Sequence, residues 1–383
     1  MAGPVKILVI RFSAMGDVAM VQPVLKEFTA AYPETELLIV SRNLFRPFFE
    51  GMNSLSFHGI DPKGKHKGFF GLYKLFRELK AQNVTAVADL HNNLRSRILT
   101  TFFSLAGIRT VILDKGRAEK KLLTRKTDKQ LIPLPLTVQR YADVFKKLGY
   151  PFTLRNTLQK PQPEVPDIDS LDPKLADLLR AKQSAAKQTE TEHPAMRLAT
   201  EQPAITETAA TKTKTSTKWI GISPFAQHLQ KVYPIHKLEE VLLALANHGH
   251  QLFIFGGSAE EERIAEAWSA KHQNITSLVR KMKLADELRF ISNLDLMLSM
   301  DSSGMHLASL KNIPVVSVWG ATHPYAGFLG YGQSISDAVQ TDLYCRPCSV
   351  YGNIPCYRGD FACMNNLAPQ TVVNKVLNKL NDD

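Results

Sequence analysis

Short apolar runs of strand-forming residues alternate with segments of helical spacing, and the alternation runs along the chain twice. In the first series Lys6–Arg11, Glu36–Val40, Val84–Leu90 and Thr110–Leu113 read as buried strands. Val21–Tyr32, Leu72–Gln82, Asn93–Ala106 and Val138–Leu148 carry apolar residues at helical intervals. The second series has strands at Trp219–Ser223, Gln251–Phe255, Ile275–Val279, Leu296–Met300 and Val315–Trp319. Its helices fall at Leu238–Asn247, Ala259–Lys271, Ala285–Ile291 and Gly304–Leu310. Strands that are apolar along their whole length must be covered on both faces, and helical crossovers between them make them parallel. The pattern predicts an α/β chain of two Rossmann-like, doubly wound parallel-sheet domains, at residues 1–160 and 218–368. A proline-led helix in 369–383 closes the chain and is placed to pack back toward the first domain.

Residues 161–217 have a different character. After a short helix expected at Pro173–Gln183, the stretch 186–214 is rich in Thr, Lys, Glu, Ala and Pro and holds no aromatic residue. Such a composition buries too little apolar surface to offset its ordering entropy, so it reads as a disordered insertion within a linker.

Charge is distributed unevenly. Residues 1–160 carry 26 Lys and Arg against 12 Asp and Glu, whereas the remainder carries 21 against 24. The densest basic run is Lys115–Lys129. A polyanionic partner of the first half fits this asymmetry, with a solvated basic loop as the plain alternative. No run of about 18 apolar residues is present, so no transmembrane helix is expected. The opening MAGPVKILVIRF reads as a first strand and not a signal peptide, which points to a cytoplasmic protein.

The common phosphate signatures are missing. No G-x-x-x-x-G-K-[ST] occurs, and the first strand is followed by one glycine where a dinucleotide fold wants three. The pair Asp167 and Asp169 has no strand to present it to a metal. What remains are polar turns at the C-terminal ends of strands, where open α/β sheets bind ligands. They are Ser13-Ala-Met-Gly-Asp17, Ser223 through Lys231, Gly256 through Glu262, Asp301-Ser-Ser-Gly-Met-His306 and Gly320 through Tyr325. An aspartate or an acidic run at a helix start is also what capping and the helix dipole favour. The Asp301–His306 turn is the most informative: two hydroxyls, Gly304 and a helix start offer backbone N–H groups to an anion, with His306 in the first turn.

Taken together, KILVIRFSAMGDVAMVQPVL, ISPFAQHLQKVYP, FIFGGSAEEER, DSSGMHLASLKNIPVVSVWGATHP and the Cys-rich tail resemble, in order, glycosyltransferase family 9, the ADP-heptose:lipopolysaccharide heptosyltransferases. The resemblance covers the chain except the Thr/Lys-rich insertion. It implies a GT-B architecture, two Rossmann-like domains facing a central cleft, with the acceptor on the first and the nucleotide-sugar on the second. It also implies an inverting, metal-independent enzyme that needs no cofactor and takes an ADP-sugar as donor. Asp17 matches the catalytic base and Lys231 the lysine that neutralises the departing diphosphate. Ser223, Glu260, Asp301, Ser302, Ser303, Gly304 and His306 match donor-binding positions, and Met282 an adenine-side residue. Ser13, Arg95 and Arg97 are the acceptor-side candidates, Arg95 and Arg97 being equally readable as surface helix residues. The implied acceptor is an anionic lipid A–core oligosaccharide or similar glycan, reached from the cytoplasmic face of the inner membrane. Ala14 stands where many relatives carry a hydroxyl.

Four cysteines fall in the tail, Cys345, Cys348, Cys356 and Cys363, spaced C-x₂-C-x₇-C-x₆-C. Four thiolates can close a tetrahedral zinc site. The spacing departs from paired C-x₂-C motifs, and a reducing compartment disfavours disulfides, so reduced thiols packed around a loop are the preferred reading. Two other functions fit the architecture or the charge. One is a sugar-nucleotide epimerase of the same fold, which would act without an acceptor. The other is a polyanion-binding protein, although no nucleic-acid motif or aromatic-interleaved basic stripe accompanies the charge.

Overall fold

The computed structural model describes residues 5–168, 171–192 and 217–382. Eleven strands among these residues form two sheets, parallel throughout. The first sheet comprises β1 (Lys6–Ile10), β2 (Glu36–Arg42), β3 (Leu55–Ile60), β4 (Ala86–Asp89) and β5 (Arg109–Ile112), in the order β3-β2-β1-β4-β5. The second comprises β6 (Trp219–Ser223), β7 (Gln251–Ile254), β8 (Ile275–Ser277), β9 (Leu296–Met300), β10 (Val315–Trp319) and β11 (Ala338–Gln340), in the order β11-β10-β9-β6-β7-β8. The expected two-domain α/β architecture is present.

The apolar strands divide their side chains between two faces, as a period of two requires. Ile7, Val9, Leu37 and Ile39 pack with the helices Val21–Ala31 and Thr137–Leu148. Leu8, Ile10, Leu38 and Val40 pack with Gly68–Lys80 and Leu94–Leu105. In the second domain Ile220, Ile222, Leu252 and Leu298 meet the helices Ile235–Asn247 and Ala259–Ser269. The opposite face, through Phe253, Met297 and Val315, belongs to an apolar cluster continuous with that of the first domain.

Three expectations are corrected. The segment 161–217 is not simply a linker. Asn293 Nδ2 donates to the Glu164 carbonyl at 2.7 Å, and the helix Pro173–Glu192, longer than expected, buries Leu175 and Leu179. Lys182 pairs with Asp295 at 2.7 Å and lies over the Trp219 ring, so this helix belongs to the second domain. The final helix, Pro369–Asn381, buries Val372, Val373, Val376 and Leu380 in the second domain's own core and does not return to the first. The basic run Lys115–Lys129 contains a helix, Arg117–Leu123, with Leu123 and Lys120 buried. The low-complexity stretch from 193 to 216 lies outside the described residues.

In each sheet the connections depart in opposite directions from two adjacent central strands, β1 and β4 in the first and β6 and β9 in the second. A crevice opens at each such point beyond the strand ends. The turns after β1, β6 and β9 are three of those singled out in the sequence, and the fold turns them toward each other.

Candidate active site

The two crevices meet in one cavity of about 480 Å³. Ala14, Met15, Gly16 and Asp17 line it from the first domain; Ser223, Lys231, Asp301, Ser302, Ser303, Gly304 and His306 line it from the second. The domains touch closely here. A Cβ on Gly16 would stand 2.5 Å from Cδ2 of His306, and a Cβ on Gly304 would stand 2.2 Å from Oγ of Ser223. Real Cβ atoms do not approach that closely, so glycine at both positions is what lets the turns converge.

Asp17 lies in the first turn of the helix Met15–Ala19, directly after β1. Its carboxylate pairs with Arg11 at 2.6 Å and accepts a weaker bond from the Ala14 N–H at 3.3 Å. Arg11 is buried, donates to the Leu90 carbonyl at 2.6 Å and lies beside the ring of Tyr141. Burial raises the Asp17 carboxyl's pKa, but Arg11 and the Ala14 N–H outweigh it and hold the group below the usual carboxylate range. It is ionised at neutral pH and can accept a proton. Lys115 and Lys120, from the basic run, also feel the charge of Asp17; burial pushes Lys120 down to about 8. The basic run therefore borders the site, and the picture of a solvated loop does not hold for its helical part.

Across the cavity Lys231 pairs with buried Asp301 at 3.0 Å. The Ser302 hydroxyl lies 3.5 Å from that of Ser223 and 3.4 Å from that of Ser299. Ser302 is the N-cap of the helix Ser303–Leu310, but its side chain makes no capping bond. The first N–H groups of this helix thus remain available to an anion, with the positive end of the dipole behind them. His306 is buried with its Nδ1 unpartnered, and burial pushes the imidazole down to about 4 despite the nearby charges of Asp301 and Asp17. It is neutral at pH 7.

Five of the residues read from the sequence lie outside the cavity lining. Glu260 is exposed and paired with Arg263 at 2.6 Å. Its neighbour Glu261 lines the cavity, its carboxylate accepting the N–H groups of Gly257 at 2.7 Å and Ser258 at 2.9 Å. Met282 is half-buried against the shared apolar cluster. Ser13 is half-buried in the turn; Arg95 and Arg97 are exposed at the start of the helix after β4, with Arg97 Nε donating to Asn92 at 2.9 Å. All four cysteines are free, with Cys345 and Cys363 buried. Burial pushes the Cys363 thiol up to about 11. Among the described residues, the His, Cys, Asp and Glu groups that come within 4.8 Å as a metal-capable trio are His58, His66 and Glu78, not these cysteines.

The sequence reading missed Glu287, which lines the cavity from the helix Leu284–Ile291. Burial alone pushes its carboxyl up to about 7. Below that pH it is neutral; above it, it adds one more negative charge to the side of the cavity that faces the anion-binding helix start. ADP affinity, followed by calorimetry, should therefore fall several-fold from pH 6 to pH 8, and Glu287→Gln should flatten that dependence.

The comparisons with known proteins agree with this geometry. A family model described as Glycosyltransferase family 9 (heptosyltransferase) matches residues 72–355. The lipooligosaccharide heptosyltransferase 2 of Haemophilus influenzae is 25% identical over 334 residues, 83% of this chain and 84% of the relative. The lipopolysaccharide heptosyltransferase 2 of Escherichia coli K12 is 24% identical, with the same shares covered. Matches to two Campylobacter jejuni lipooligosaccharide heptosyltransferases span only 42% and 52% of those proteins, at 29% and 27% identity. Among solved structures, a family 9 glycosyl transferase from Veillonella parvula superposes with a TM-score of 0.67 at 15% identity, covering 100% of this chain and 99% of that one. The Escherichia coli heptosyltransferase WaaC with ADP gives 0.62 at 18% identity, covering 98% and 99%. The two-sheet GT-B fold and the family model lead to one statement: the chain belongs to glycosyltransferase family 9, the heptosyltransferases.

Proposed function

We propose that this enzyme transfers a heptose, or a closely related sugar, from an ADP-sugar to an anionic lipopolysaccharide inner-core or similar glycan acceptor. The transfer is inverting, uses no metal or cofactor, and takes place at the cytoplasmic face of the membrane. The observation that supports this reading best is the meeting of Asp17, from the first domain, with Lys231, Ser302 and His306, from the second, in one cavity. A sugar hydroxyl is a poor nucleophile; a positioned carboxylate takes its proton as the oxygen attacks the anomeric carbon. The bond from that carbon to the diphosphate breaks on the opposite side. Lys231 and the N-terminus of the helix Ser303–Leu310 are placed to receive the developing negative charge, the part a metal ion would otherwise play. The four cysteines lie outside the cavity lining and take no part in the chemistry.

The basic side chains near Asp17 favour an acceptor carrying phosphates or carboxylates. The direct test is nucleotide release from ADP-, UDP- and GDP-sugars, each with and without a lipid A–Kdo acceptor. Release should be fastest from ADP-heptose and should depend on the acceptor. Conversion of the nucleotide sugar with no acceptor present would indicate an epimerase instead, and salt-sensitive binding to arbitrary DNA without turnover would indicate a polyanion-binding protein.

A further inference from the structure

The helices Gly68–Lys80 and Leu94–Leu105 pack side by side on the face of the first sheet that carries Leu8 and Ile10, and they leave an unusual surface outward. Phe70 is 86% exposed and Phe69 57%, with Tyr73 exposed one turn on. The rings of Phe69 and Tyr73 meet Phe102 of the neighbouring helix at centroid distances of 5.4 and 5.5 Å. Leu94 and Leu105, at the two ends of the neighbouring helix, are also largely exposed. Phe69, Phe70, Tyr73 and Phe102 thus form one contiguous aromatic cluster and not scattered single residues.

Its surroundings say what covers it. Between Asp61 and Lys80 there are six Lys and Arg and two acidic residues, and both acids are committed: Asp61 to N–H groups of its own loop and Glu78 to Lys65, His58 and His66. Lys63, Lys67, Lys74 and Arg77 are exposed around the aromatic rings. An apolar face would suit another protein, but aromatic rings rimmed by lysines that pair with no acid among the described residues match a lipid surface whose headgroups are anionic. The location fits as well. Both helices begin beyond the C-terminal ends of β3 and β4, the edge of the sheet that also bears the Asp17 turn, so Phe69 and Phe70 stand at that rim of the first domain.

We infer that this face, with Phe69, Phe70 and Tyr73 as anchors and Lys63, Lys67 and Lys74 as headgroup contacts, docks the enzyme on an anionic phospholipid bilayer. It deepens the reading above, in which the acceptor is a lipid-anchored glycan. Docked through this rim, the first domain brings the Asp17 turn close to the membrane, where the acceptor's sugar projects.

The test is co-sedimentation of the full chain with vesicles, with no donor or acceptor present. Vesicles of phosphatidylglycerol and phosphatidylethanolamine should retain the protein, and phosphatidylcholine vesicles should not. Phe70→Ser, at a side chain with little packing to lose, should weaken retention about tenfold. The Lys63→Glu, Lys67→Glu, Lys74→Glu triple variant should weaken it about a hundredfold or more, and higher salt should act in the same direction. Melting temperatures and turnover on a detergent-free, delipidated acceptor should stay at wild-type values. Equal retention of wild type and variants, or a wild-type dimer that Phe70→Ser converts to monomer, overturns the inference. Retention as expected with no sugar transfer at all would count against the proposed reaction and leave the docking face standing.

Discussion

Asp17→Asn should reduce kcat by about 10²–10⁴-fold while leaving ADP affinity within a factor of two to three, a range set by the usual worth of a positioned general base. The asymmetry follows from the architecture. Asp17 belongs to the first domain and pairs with Arg11 of the same domain, whereas the proposed donor groups belong to the second. Asparagine is the informative replacement because its carbonyl can still accept from Arg11, whose buried guanidinium would otherwise be left unpaired, a costly state. Steady-state kinetics with calorimetry of ADP binding separates the two effects. A variant retaining more than a few tenths of the wild-type rate would remove Asp17 from the role of base. Because Arg11 holds the carboxyl below its usual range, the acid limb of kcat/KM should also fall below the ordinary carboxylate range.

Lys231→Ala should do two things at once. It should weaken ADP binding by roughly a hundredfold, since a charged group truncated from a buried anion site typically costs about 2–5 kcal/mol. It should also destabilise the second domain, because it leaves Asp301 buried and without its partner, an arrangement that costs about 3–5 kcal/mol. At the sensitivity of a domain this size, the melting temperature falls by about 6–20 °C. The double variant Lys231→Ala, Asp301→Asn distinguishes the effects. It should recover most of the lost stability, because no uncompensated charge remains, and none of the lost affinity. Wild-type ADP affinity in Lys231→Ala would defeat the diphosphate assignment whatever the melting curves show. His306→Ala should weaken binding less, because its imidazole is neutral and supplies no charge.

Where burial is complete or nearly so on both faces, as in β1, β9 and β10, the strands announce themselves as predominantly apolar runs. β3, with the sequence LSFHGI, escaped because it is an edge strand with only Ile60 buried. β11 is three residues long and offers no period to read. The helix Arg117–Leu123 was hidden by its charge: Lys120 is buried, its ammonium 4.2 Å from the centroid of the Phe328 ring, and composition cannot show that a lysine has been taken up by packing. Polar, proline-bearing sequence likewise made 161–192 read as linker, although a few anchors, Glu164, Leu175, Leu179 and Lys182, fix it to the second domain.

The site was legible as turns but only partly as individual residues. The turns after β1, β6 and β9 are polar segments behind apolar strands, and strand order brings them together. Local sequence does separate Glu260 from its neighbour Glu261. Ser258 followed by Glu261 three residues later is a capping box, which turns Glu261 back toward the loop and sends Glu260 outward to Arg263. Glu287 gave no signal, since an acidic residue in the first turn of a helix is what the dipole alone would select. Its place in the cavity follows only from how the helix Leu284–Ile291 packs. The Arg11 pairing also had no marker, because Arg11 reads simply as the polar end of a strand.

The proposed reaction is a single displacement in which Asp17 deprotonates the acceptor hydroxyl as that oxygen attacks the anomeric carbon of the donor. It is tested most directly by proton NMR of the transferred sugar after turnover of an ADP-sugar of known anomeric configuration. The linkage formed should have the opposite configuration to the donor. A product that retains the donor configuration would mean that the sugar passed through a second displacement, and would contradict it.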